Sequence, residues 1–425
     1  MLTTSEPQEV TSSSMSKDFF LARQPILNRD QQTVAYELLF RSAATGGAGV
    51  IDDLSATASL IAHVTELGIE QVVGNMLGMV NVDATVMLSD FIKFLPGPKV
   101  VFEILETVKA TPEVVARVAE LKRAGYRFAL DDVVSASEDV QLFMPLVEMV
   151  KVDIMGMPQA TLVALVDKLR GSGKKLLAEK VETLAEFETC LALGFDYFQG
   201  YYFAKPTVMS GKKLAPSELA IVQLLCLIDS DADNSQIEAQ IKRDALISIN
   251  LLRLVNTPAA GTVTHIDTVS QALLVLGRRQ LQRWLQILLY ATPGKAGQFT
   301  SPLLQLAVTR GKLLELIVAK RNPGQRSLAD AAFTVGVMSL MDTLFSMPMA
   351  ELLSTINVAD DVREALLSRR GQFGAMLKLL ELGEQPDAAG SLLLPTLRRL
   401  DITAEELVEF QLVAFEWANK ITQGR

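Results

Sequence analysis

VVFEILETVKATPEVVARVAELKRAGYRFALDD, residues 100–132, contains a complete strand–helix–strand unit. VVFEIL is a short apolar run of strand character, and YRFALDD is a second one. Between them Thr111-Pro112-Glu113 supplies an N-cap, a proline at N1 and a first-turn acid, opening a helix that runs towards Gly125. The unit recurs. From about Phe19 to Pro206, strand-like runs alternate with amphipathic helical segments, and after KLLAEKVE (175–182) Thr183 and Glu186 form a capping box with Gly194 as a C′ stop. Repeated units of this kind imply parallel strands. About eight strand candidates favour a closed (β/α)8-type barrel over an open doubly wound sheet. No glycine-rich G-x-G-x-x-G turn follows a strand, which removes the usual dinucleotide-binding reading.

The strand runs share a second property: each carries an acid or amide within it or at its downstream end. VAYELLF carries Glu37, MLGMVNV Asn81, VVFEIL Glu103 and YRFALDD Asp131 with Asp132. MVKVD carries Lys151 and Asp153, KLLAEKVE Glu179 and Glu182, and FDYFQGYYF Gln199. In a parallel barrel such strand ends converge on one rim, where a cation and a phosphate can sit. Oxygen donors without histidine or cysteine favour Mg²⁺ or Mn²⁺ over zinc. Lys151 lies two residues from Asp153, so both project to one face of a strand; it is placed to orient a water, take a proton or neutralise phosphate charge. Arg41 is a natural phosphate or guanine contact. Taken singly, Asp83, Glu106 and Asp139 read as caps or surface ion pairs.

The chain has 425 residues, which implies two domains, and a net charge of −9, which disfavours sequence-independent nucleic-acid binding. Its two cysteines, Cys190 and Cys226, lie in apolar helix-like settings, so a reducing cytoplasm fits better than a disulfide framework. No apolar run reads as long enough to span a bilayer, so no membrane partner is expected. The Ser/Thr-rich opening, residues 1–17, reads as a flexible tail, followed by a barrel domain over 18–206, a polar linker over 207–216 and an all-helical domain over 217–425. In that second half the period is helical almost throughout, as in ELAIVQLLCLI and LLQLAVTRGKLLELIVAK.

In the order of these motifs the first half resembles an EAL domain, the barrel family that hydrolyses the bacterial second messenger cyclic di-GMP. RQPILNRDQQTVAYELLFR (23–41) resembles the family's opening, with Glu37-Leu38-Leu39 at the EAL signature. FEILET, FALDD, VKVD, AEKVET and FQGYYFAKP follow in family order up to residue 206. The resemblance implies metal ligation by Glu37, Asn81, Glu103, Asp131, Asp132 and Glu179, with Mg²⁺ or Mn²⁺ as the cofactor. It implies catalytic roles for Lys151, Glu179 and Glu182, and substrate binding by Gln24, Leu39, Arg41, Asp153 and Gln199. A homodimer through the barrel is a further implication. Four places depart from the family pattern. Val133-Val134-Ser135-Ala136 replaces Phe-Gly-Thr-Gly, and Lys180 stands where glycine is common. Val82-Asp83 follows Asn81, and Ser42 follows Arg41 where tryptophan is usual. Two β-branched valines make φ > 0 costly, so the loop is expected to take another course.

The second half resembles the HDOD domain, a helical relative of the HD metal phosphohydrolases, over IKRDALISINLLRLVNTPAAG (241–261), IDTVSQALLVLGRRQLQRWL (266–285) and ADAAFTVGVMSLMDTLF (329–345). HD enzymes need several histidines and a His-Asp pair. This chain has only His63 and His265, and Ser339-Leu340 stands where the pair would be. The helical half is therefore expected to be non-catalytic and to recruit a protein partner. Two readings follow for the whole chain. One is a cyclic di-GMP phosphodiesterase regulated by its helical half; the other is an inactive EAL–HDOD scaffold or cyclic di-GMP receptor acting through partners.

Overall fold

The computed structural model describes residues 19–42, 68–203 apart from 136, 216–290 apart from 231, 258–259 and 262–263, 301–384 apart from 346 and 357, and 390–423. The opening tail, His63 and nearly all of the linker lie outside the described residues.

Eight strands close into a barrel in sequence order: β1 Phe19–Asn28, β2 Thr33–Ser42, β3 Leu77–Val82, β4 Val100–Ile104, β5 Arg127–Leu130, β6 Met149–Asp153, β7 Lys175–Glu179 and β8 Tyr197–Gln199. From β2 to β8 every pairing is parallel. β1 runs antiparallel to both of its neighbours, so the barrel is mixed rather than purely parallel. The cause is local. A short turn joins β1 to β2, and a chain that reverses so tightly can only pair antiparallel. Asn28 holds that turn, its Oδ1 accepting from the backbone N–H of Asp30 at 3.0 Å and of Gln32 at 2.8 Å.

The crossovers carry helices α1 Ile69–Val73, α2 Ala84–Leu88, α3 Pro112–Arg123, α4 Glu138–Phe143, α5 Gln159–Arg170 and α6 Leu184–Leu193. Both expected caps form: Thr111 accepts from the Val114 N–H, and Thr183 with Glu186 closes a capping box before α6. Inside the barrel the two-residue strand period makes layers. Met79, Val101, Ala129 and Leu177 share an apolar interior layer with Ile26 and Ala35. Two residues further along each strand stand Asn81, Glu103, Asp131 and Glu179, and likewise Glu37 after Ala35. The chemistry-bearing residues therefore lie one layer above an apolar plug, at the carboxyl ends of the parallel strands.

The helical half comprises α7 Pro216–Asp229, α8 Asn234–Lys242, α9 Ala245–Val255, α10 Val269–Leu289, α11 Pro302–Arg321, α12 Arg326–Met338, α13 Met341–Phe345, α14 Met349–Thr355, α15 Asp360–Ser368, α16 Gly371–Glu384, α17 Gly390–Leu400 and α18 Ala404–Gln423. One apolar core runs from Ile221 to Ile421, with Trp284 fully buried in it. Taken as one stretch, Arg326–Phe345 is long and apolar enough to cross a membrane, with mean hydropathy 1.4, against the expectation that no run reaches that length. It is divided at Ser339-Leu340 into α12 and α13 and packs inside the helical core, which accounts for its composition. Arg278, Arg279 and Arg283 are not an open basic patch. They engage Asn234, Asp330 and Glu315 within the same domain.

Backbones approach closely at the crossing between α11 and α12. A Cβ built on Gly336 would lie 2.5 Å from the Arg310 carbonyl carbon and 2.5 Å from the Gly311 nitrogen, and both are backbone atoms that cannot yield cheaply. Gly336→Ala is expected to destabilise the chain by about 3 kcal/mol in urea unfolding, the upper range for overpacking; an unchanged midpoint would mean that the helices separate freely.

Candidate functional site

Lys151 organises the upper layer of the barrel. Its Nζ lies 2.8 Å from Glu103 Oε1, 2.8 Å from Asp131 Oδ1, 2.9 Å from Glu179 Oε1 and 3.6 Å from Glu37 Oε2. The lysine side chain is 1% exposed and the Glu103 side chain 0%, so these charges are removed from water. The contacts are close ion contacts rather than well-angled hydrogen bonds. Both oxygens of Glu103, Asp131 Oδ1 and Glu179 Oε2 are buried and, among the described residues, have no polar partner beyond these contacts to Lys151. Glu37 is held from its other side, accepting from Asn81 Nδ2 at 3.0 Å and from Gln199 Nε2 at 2.5 Å. The Gln199 amide also donates to Gln24 Oε1 at 3.0 Å. Gly200 makes that placement feasible. With φ at +151, a Cβ there would lie 2.0 Å from the Val181 carbonyl oxygen, so only glycine lets β8 end against the β7 loop.

Four carboxylates around one ammonium leave three uncompensated negative charges if all are ionised. Burying that excess is too costly, and the acids adjust. Burial, then repulsion from Glu37, pushes the Glu103 carboxyl well above the usual range despite Lys151. Burial likewise raises Glu179 to about 8, Lys151 opposing and Asp131 and Glu37 adding to the rise. Burial also works against ionised Glu37, but Lys151, Gln199 and Asn81 outweigh it and lower its pKa. For Lys151 burial favours the neutral amine, yet the surrounding carboxylates raise its pKa well above normal, so it stays an ammonium. A hard divalent cation fits this set. Its donors are all oxygens, several of them with no partner other than Lys151, and its charge offsets most of the excess. Glu37, Asn81 through its Oδ1, Glu103, Asp131 and Glu179 would hold it.

Asp132 belongs to a different group. It has φ +45 and is half-buried, and its carboxylate meets those of Asp131 and Glu106, the ligand oxygens all within 4.8 Å of one another. Burial and the neighbouring Asp131 raise its pKa. Read singly in the sequence, Glu106 is a cap or surface ion pair; it is exposed, and the fold brings it beside Asp131 and Asp132. β4 ends at Ile104, so Glu106 stands in the loop beyond it, facing the end of β5. The other two acids read that way are structural. Asp83 caps α2 by accepting from Val86 N–H, and Asp139 accepts from Ala110 N–H and pairs with Lys109. In the valine loop Val133 is buried, its N–H donating to Lys151 O at 2.9 Å, while Val134 and Ser135 are exposed. The positive φ thus falls on Asp132, not on a valine.

At the rim Lys180 has φ +54, a left-handed conformation that favours glycine, and its Nζ donates to Asp153 Oδ2 at 2.6 Å. Leu39 lies two residues beyond Glu37 on the same face of β2, and the backbone of Arg41 pairs with Phe20 further along. Glu182 is exposed before α6 and is not among the acids around Lys151; its N–H donates to Glu186 at 2.8 Å. In the helical half, Ser339 Oγ accepts from Arg310 Nη1 at 2.9 Å, and Glu384 on α16 accepts from the same guanidinium. A buried arginine pair thus occupies the position where the resemblance would place a His-Asp pair. His265 is exposed beside Asp267.

A mixed barrel with an acidic mouth around a buried lysine, joined to an all-helical domain, defines a two-domain class. Residues 8–206 match the EAL domain family and residues 215–362 the HDOD domain family, and the chain belongs to the EAL proteins that carry an HDOD domain. It is 30% identical to the uncharacterized protein YuxH of Bacillus subtilis, over 96% of this chain and 99% of that one. It is 32% identical to the cyclic di-GMP phosphodiesterase CdgJ of Vibrio cholerae, over 87% of this chain and 86% of that one. Among solved structures, the Bacillus subtilis YkuI protein, which has an EAL domain and is in complex with substrate c-di-GMP and calcium, is 18% identical, with 53% of this chain and 71% of that chain covered and a TM-score of 0.38.

The raised Glu179 sets a pH dependence. The folded protein keeps a proton on Glu179 up to about pH 8, whereas the unfolded chain releases it near the ordinary glutamate value of about 4.3. Stability of the metal-free protein therefore falls as pH rises from about 5 to 8. Lys151 stays charged across that window, and Glu37, its pKa lowered, stays ionised. Scanning fluorimetry with EDTA should show Tm falling over this range, with Mn²⁺ raising Tm more at pH 8 than at pH 5. A flat profile and an equal shift at both pH values would contradict the assignment.

Proposed function

We propose that this chain binds cyclic di-GMP at the barrel mouth and hydrolyses one of its phosphodiester bonds with a divalent cation, Mg²⁺ or Mn²⁺. The observation that supports the reading most is the buried Lys151 ringed by Glu37, Glu103, Asp131 and Glu179 at the carboxyl end of the barrel. The 32% identity to a cyclic di-GMP phosphodiesterase across both halves agrees with it. A divalent cation held by these carboxylates would supply Lewis acidity towards the phosphodiester.

In this reading the chain's own groups have distinct tasks. Lys151 positions Glu103, Asp131 and Glu179, directs the attacking water and offsets negative charge on the phosphoryl oxygens. Glu37, aimed by Asn81 and Gln199, fixes one edge of the site. Hydrolysis joins a water oxygen to phosphorus and breaks the bond to one ribose oxygen; Glu179 and Glu182 are the acids on the β7 side that would take the proton the water loses and return one to the leaving oxygen. Gln24, Leu39, Arg41, Asp153 and Gln199 would contact the dinucleotide. The helical half we read as a regulatory, partner-binding domain without chemistry of its own.

A receptor without turnover is the second reading, favoured by two specific features. Asp132 is turned towards Glu106 rather than Lys151, and Lys180 ties down Asp153 at the rim. Incubation of the full chain with cyclic di-GMP and Mn²⁺, followed by chromatography, separates the readings. Linear dinucleotide is expected from the unaltered chain, and Glu37→Ala and Lys151→Ala should each lower its rate by about 100-fold or more. Saturable binding without product would establish the receptor instead.

A further inference from the structure

The inner and outer faces of β1 and β2 alternate residue by residue, so each site residue has an outward-facing neighbour in the chain. Gln24 pairs across the strands with Glu37, both inward. Beside them Arg23 and Tyr36 point outward. β1 and β2 are joined by a turn and not by a crossover helix, and among the described residues this wall meets only α1 from the barrel's own repeat, through Val72. The helical half covers the rest of it among the described residues. Leu412 and Val408 of α18 pack into the barrel's outer core, while Ala414, Ala418 and Ile421 of the same helix belong to the helical core.

Arg23 is the tightest point of this contact. Its guanidinium carbon lies 4.4 Å from the Tyr36 ring centre and 3.8 Å from that of Phe415 on α18, and it donates to the backbone oxygen of Val72 on α1. Among the described residues it forms no ion pair with a carboxylate. The half-buried guanidinium is held by the two aromatic faces and one carbonyl, and burial lowers its pKa to about 10. A second link lies beyond β8, where the Tyr201 hydroxyl donates to the backbone oxygen of Glu384, the residue that also binds Arg310.

We propose that Arg23 is a positioning residue for the barrel site, through which Phe415 of the helical half holds β1 so that Gln24 engages Gln199 and Gln199 engages Glu37. The chain of contacts is continuous: Phe415 to Arg23 by stacking, Arg23 to Gln24 along the strand, Gln24 to Gln199 at 3.0 Å and Gln199 to Glu37 at 2.5 Å. An interface that merely glued the halves together would not need a cation whose partners sit on three elements. The inference rests on reading Glu37 as part of a cation and cyclic di-GMP site.

The test uses the full chain and two ligands, Mn²⁺ alone and cyclic di-GMP with Ca²⁺, by calorimetry, alongside thermal unfolding. Phe415→Ala and Arg23→Met should each weaken Mn²⁺ binding about tenfold, the scale on which groups behind metal ligands act. Phe415→Trp, which keeps a strong cation–π face, should return affinity to within about twofold of the unaltered chain. Leu412→Ala, an interface truncation without contact to the cation, should lower Tm and leave Mn²⁺ affinity unchanged. Equal Mn²⁺ affinity in the Phe415→Ala and unaltered chains overturns the proposal, as does equal weakening by Leu412→Ala. If the unaltered chain binds Mn²⁺ but not cyclic di-GMP, the proposed function fails while the role of Arg23 is still decided by Mn²⁺. No Mn²⁺ binding at all overturns both.

Discussion

The structure depends on one electrostatic constraint, an ammonium buried among four carboxylates inside a barrel. Lys151 alone there would be unstable, and so would the acids alone. Together they still carry excess negative charge, which the protein relieves by keeping Glu103 and Glu179 reluctant to ionise and by giving Glu37 two amide donors. A site so arranged is poised for a cation. The apolar layer beneath it, from Ile26 to Leu177, keeps water out from below and raises the cost of every unpaired charge above.

The mixed strand order gives this site a weak side and a remedy. Most of the barrel wall is backed by helices of the crossovers, which the parallel connection requires. The β1–β2 corner, which carries Gln24 and Glu37, is joined by a turn and leans on α18 instead. That helix contributes to two cores at once, so the halves are less separable than their different rhythms suggest. The HDOD match ends at residue 362, yet the helical core continues through α16, α17 and α18 to Ile421.

Much of the site could be read from the chain because a strand's period of two and the barrel's closure act together. A polar residue two positions past an apolar inward residue must join the same layer as its counterparts on neighbouring strands, and Glu37, Asn81, Glu103, Asp131, Lys151, Glu179 and Gln199 all do. Residues beyond the strand ends obey no such period. Asp132 and Glu106 therefore meet each other in loops, and nothing in their spacing announces it. The same holds for Lys180, whose left-handed backbone and pairing with Asp153 depend on how β7 ends.

By itself the sequence determined the two-domain division, the barrel, the helical second half, the absence of enough histidines for an HD metal centre and the set of inward polar residues. These follow from local periodicity, capping and composition, which act over a few residues. Long-range packing set the antiparallel first strand within the closed barrel, the meeting of Asp132 with Glu106 beside Asp131, and the seating of Arg23 between Tyr36 and Phe415. Each is a meeting of residues far apart in the chain, settled by which buried charge finds which partner once the strands close and the helices dock.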